Sequence, residues 1–67
     1  MWVIINNERV NLDKVVNYHQ GFADKETLYI KYIGVNGWDI FEFKNKESCE
    51  EFIHKIDKLI DELVEVQ

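Results

Sequence analysis

The sequence predicts an α+β domain in which an antiparallel β-meander of four to five strands packs on one C-terminal amphipathic helix. Three observations predict it. The first half is a series of short β-branched and aromatic runs separated by Asn, Asp and Gly. The last third carries an unbroken helical repeat of apolar residues. The whole is only 67 residues long, which leaves room for a single domain spanning 1–67.

Trp2-Val3-Ile4-Ile5 is the first strand (2–5), and Asn6-Asn7 supplies a two-residue turn. Glu8-Arg9-Val10 (8–10) returns as the second. Asn11 to Lys14 reads as a turn, because Asn and Asp side chains bond their own local backbone. Val15 to His19 (15–19) is the third strand, and Gln20 to Glu26 is expected to be a mobile loop. The strongest strands are 27–33 and 38–43, joined across Gly34-Val35-Asn36-Gly37 by a tight hairpin of two or four loop residues. Either loop leaves the same residues on each face. One face carries Leu28, Ile30, Tyr32, Phe41 and Phe43. The other carries Tyr29, Lys31, Ile33, Val35, Trp38, Ile40 and Glu42.

The helix is expected over 46–64, with Asn45 as its N-cap and Ser48 at the third helical position. Cys49, Phe52, Ile53, Ile56, Leu59, Ile60 and Leu63 form its apolar stripe. The polar side holds Glu47, Glu51, Lys55, Lys58, Asp61, Glu62 and Glu65, with Glu51 and Lys55 spaced to pair.

Composition excludes several ways of stabilising so small a fold. One cysteine cannot form an internal disulfide, and one Cys with two His cannot supply a four-ligand zinc site of that type. Good packing and self-association remain. No apolar run approaches the roughly 20 residues of a membrane span, and polar Asn6-Asn7-Glu8-Arg9 follows the first apolar run too soon for a signal peptide. With its lone thiol, the chain is expected in the cytoplasm.

No nucleophile elbow, P-loop, dinucleotide fingerprint or H-E-x-x-H motif occurs, so neither catalysis nor a cofactor is expected. Cys49 lies near a helix N-terminus, where thiols are acidified, but in register with the apolar stripe, which makes it a core residue. Glu50, His54 and Asp57 could offer metal ligands from one helical face, yet they equally form the polar flank of a solvated helix. His19 reads as a surface residue before a loop. Tyr29, Trp38 and Phe41 suggest base stacking, but Phe41 falls on the opposite face and the net charge of −5 opposes phosphate binding.

Two oddities remain. Tyr29, Ile33, Val35, Trp38 and Ile40 crowd the second sheet face, where a one-sided sheet should be polar. Trp2 or the first hairpin could fold across them; otherwise they form a protein interface for a second copy, as a homodimer, or for another protein. The second oddity is an acidic helix end, Asp57, Asp61, Glu62 and Glu65, which opposes the helix dipole. It makes an acidic inhibitor of a bacterial or phage nucleic-acid-handling protein the alternative function.

Ile4-Ile5-Asn6-Asn7, then Val10-Asn11-Leu12-Asp13-Lys14-Val15, two strands and an acidic helix, resembles small uncharacterised bacterial or phage proteins. The resemblance implies this order of elements and a bacterial or mobile-element origin, and it transfers no functional residue.

Overall fold

The computed structural model describes residues 1–64, with side chains described through Asp61. Five strands and one helix follow in the expected order: β1 (Trp2–Ile5), β2 (Glu8–Asn11), β3 (Val15–Gln20), β4 (Thr27–Tyr32), β5 (Asp39–Glu42) and α1 (Lys46–Val64). All pairings are antiparallel, but they divide into two sheets, β1–β2 and β3–β4–β5, rather than one continuous meander.

The break between the sheets is a single turn of 3-10 helix at Leu12–Lys14. Asn11 caps it by accepting from the Asp13 amide at 3.0 Å, so the expected turn is present in helical form. Asn6 and Asn7 both take positive φ, 49° and 70°, as a two-residue turn of the hairpin hand requires. Ile5 then pairs with Glu8 and Val3 with Val10.

The β4–β5 connection departs from expectation. Tyr29 pairs with Ile40 and Ile30 with Asp39, which leaves Ile33 to Trp38 as a six-residue loop between the strands. Gly34 at φ 75° ends β4, and the Val35 amide closes a turn on the Tyr32 carbonyl at 3.3 Å. Ile33, Val35 and Trp38 therefore stand on the loop, not on strands. The register shifts by an even number of residues, so the residues that remain in β4 and β5 keep their expected faces.

Leu28 and Ile30 are fully buried, with Phe41 beside them, while Tyr32 and Phe43 are half-buried. Cys49 and Ile56 of α1 meet them from one side. Ile5, Val10 and Leu12 from the first hairpin complete the same core. The hairpin thus joins the helix side of the sheet and leaves the other face uncovered. Asn45 accepts from the Ser48 amide at 2.8 Å, as the capping pattern predicts. Glu51 and Lys55 form no ion pair among the described residues; Lys46 and Glu50 do, at 3.7 Å, and the Lys55 ammonium lies over the Phe52 ring. No helix among the described residues is long and apolar enough to cross a membrane.

Leu28→Ala should cost about 2–5 kcal/mol, because neither the helix nor the hairpin can collapse into the space alone. Urea unfolding followed by tyrosine and tryptophan fluorescence measures that loss.

Candidate functional site

The outer face of the three-stranded sheet is built on a cross-strand pair. His19 of β3 stands opposite Tyr29 of β4, and their rings stack at 5.1 Å with an interplanar angle of 11°. Phe22 stacks on the same imidazole at 5.4 Å, and Trp38 meets it edge-on at 5.1 Å. His19 Nδ1 lies 2.9 Å from the Gln20 carbonyl oxygen, an acceptor only, so Nδ1 carries a proton and donates it there. The Lys31 ammonium sits 5.7 Å from the Trp38 ring centroid.

The segment expected to be a mobile loop is tied down. Gly21 donates to the Thr27 carbonyl and Thr27 to the Asp24 carbonyl, each at 2.9 Å, while Gln20 Nε2 donates to the Lys25 carbonyl at 2.6 Å. Tyr29 donates its hydroxyl to Asp24 at 2.7 Å. Only glycine fits at position 21, since a Cβ there would collide with Asp24. The loop buries Thr27 and leans Phe22 on His19, so it covers one end of the outer face. A cleft of about 450 Å³ lies between this loop, Tyr29 and Trp38.

Beyond the loop the face is open. Ile33 is 63%, Val35 52%, Trp38 41% and Ile40 55% exposed, whereas Tyr29 is half-buried by its neighbours. Tyr29, Trp38 and Ile40 thus share the outer face with His19. Ile33 and Val35, on the β4–β5 loop, instead line a cleft of about 400 Å³ with Glu8 to Asn11 of the first hairpin. The structure therefore does not gather all five expected interface residues on one face. Sequence reasoning missed Phe22 and the stacking of His19. The signal was the shared outward parity of His19 and Tyr29, which has no use until the β3–β4 register is known.

The other candidates are absorbed by structure. Cys49 is fully buried, and burial pushes its thiol pKa up, which holds it as the unreactive thiol. Asp57 accepts from the Tyr18 hydroxyl and Glu50 pairs with Lys46, so two of the three possible ligands on the helix serve protein contacts. No group of three candidate metal ligands occurs among the described residues. Of the acidic patch, Asp57 is engaged by Tyr18 and Asp61 is exposed; the Glu62 side chain and Glu65 lie outside the described residues. Phe41 is buried in the core, which removes one ring from any stacking platform with Tyr29 and Trp38.

A second apolar surface was not expected. Trp2 and Ile4 point out of the first hairpin, 65% and 60% exposed, and with Phe52 and Leu59 of α1 they line a groove of about 570 Å³. Comparison of the chain with protein-family models, with curated proteins and with solved structures yields no match in any of the three.

All three tyrosines resist ionisation. Burial and the Asp57 hydrogen bond push Tyr18 up to about 12, and burial with the nearby Asp39 charge pushes Tyr32 up to about 12. The bond to Asp24 raises Tyr29 and, in return, holds the Asp24 carboxyl below its ordinary value of 3.8. A raised tyrosine pKa stabilises the fold below pH 10.0 and loses that contribution as pH climbs through about 12. Alkaline titration of phenolate absorbance should show Tyr18 and Tyr32 titrating near 12 in the native chain, and all three phenols titrating at the ordinary 10.0 in urea. The Asp24 effect has the opposite sign: its stabilisation holds above 3.8 and fades as pH falls through the lowered value. The stability gap between the native chain and Asp24→Asn should therefore close in acid, as measured by urea unfolding across that range.

Proposed function

We propose that this chain is a non-catalytic binding module that self-associates through the outer face of its three-stranded sheet. The observation that carries this reading is the open row of Tyr29, Ile40 and Trp38 on a sheet whose opposite face is sealed by α1 and the first hairpin. Large apolar side chains gathered on one face are the usual chemistry of an interface centre. A second copy suits the face because its charges are self-complementary. Lys31 lies at one end of the outer face and Glu42 at the other. A two-fold axis along the Tyr29–Ile40 row sets Lys31 of each copy over the Thr27–Glu42 end of the other. The pairing offsets part of the repulsion between two chains of net charge −5.

Sedimentation equilibrium should find a dimer, and Trp38→Glu or Ile40→Glu should return it to monomer with an unchanged circular dichroism spectrum. Each substitution places a charge in the centre of the face, which costs about 2 kcal/mol or more of association energy. A monomer throughout the micromolar range, indifferent to both substitutions, rejects the reading.

A further inference from the structure

The groove between the first hairpin and α1 differs in kind from the outer sheet face. Its apolar surface comes from Met1, Trp2, Val3 and Ile4 of the hairpin and Phe52 and Leu59 of the helix. Its charged lining side chains are Arg9 and Lys55, and among the described residues no carboxylate lines it, although acidic residues outnumber basic ones 13 to 8 in the chain. The two cations come from different elements. Arg9 stands directly opposite Ile4 across the β1–β2 ladder, so it shares the outward side of the hairpin. Lys55 projects from the helix and lies over the Phe52 ring. Neither has an ion-pair partner among the described residues. The groove therefore combines an exposed tryptophan, an apolar floor and a positive charge contributed by each wall.

We infer that this groove is a docking site for an amphipathic helix of a partner protein whose apolar stripe is flanked by acidic side chains. The apolar stripe covers Trp2, Ile4, Phe52 and Leu59, and carboxylates on its two flanks meet Arg9 and Lys55. Trp and Arg are the residue types that most often anchor such contacts, and both are present on the hairpin wall. The charge pattern selects the occupant. A basic amphipathic helix would place like charges against both walls, and a neutral one would leave two cations partly desolvated without partners. This site shares no residue with the self-association face, so either can fail without the other.

The test uses two dye-labelled synthetic helical peptides that carry the same leucine stripe, one flanked by glutamates and the other by lysines. Fluorescence anisotropy with the full chain should show saturable binding of the glutamate peptide, at least about tenfold tighter than the lysine peptide at low salt. Trp2→Ala and the double variant Arg9→Glu, Lys55→Glu should each weaken the glutamate peptide by about tenfold or more. The double variant should also shift preference toward the lysine peptide, an outcome that loss of folding could not produce. Trp38→Glu should leave peptide binding unchanged. Equal binding of both peptides, binding of neither, or indifference to Trp2→Ala and to the double variant overturns the inference.

Discussion

Leu28 and Ile30 are the pair on which the other contacts converge. They sit mid-strand in the central strand of the larger sheet, and both α1 and the first hairpin bury their own apolar residues against the cluster they anchor. A 67-residue chain has one such cluster to build, and it spends both of its covering elements on the same side. The uncovered outer face follows from that allocation. It is a consequence of having one helix and one hairpin, not of a defect in patterning.

Within that constraint the outer face is only partly left to solvent. The 21–26 loop, held by backbone bonds and by the Tyr29–Asp24 contact, covers Thr27 and brings Phe22 onto His19. What stays open is the half of the face nearer the β4–β5 loop, where Trp38 and Ile40 stand exposed. The molecule therefore presents two apolar surfaces of unlike character: a sheet face with balanced charge and a groove with positive walls. A small module that both pairs with itself and holds an acidic partner would need two surfaces of these kinds.

Much of this was legible from residues alone. The Asn45 cap, the helical stripe and the Asn6-Asn7 turn rest on local chemistry, and each appears where its residues predict. The identity of the two sheet faces was also local, since alternation does not depend on loop length. The β4–β5 loop was not legible, because Asn36-Gly37 is a strong turn signal and nothing in the sequence says that Gly34 ends the strand first. The split into two sheets and the stacking of His19 depend on contacts between residues far apart in sequence. The Trp2 groove joins the two ends of the described chain, so neither segment shows it alone.

The Asn6 side chain has a role beyond its turn. The Phe43 amide bonds the Glu26 carbonyl, which fixes the alternation along β5 and turns the Glu42 carbonyl away from β4. That carbonyl accepts from Asn6 Nδ2 at 2.7 Å. An incoming strand at the β5 edge would meet a ladder already interrupted at one of its few outward groups, with the first hairpin beside it. The turn thus acts as a stopper at the β5 edge of the sheet. At that edge, a chain that exposes so much apolar surface is guarded against the edge-to-edge stacking that ends in fibres.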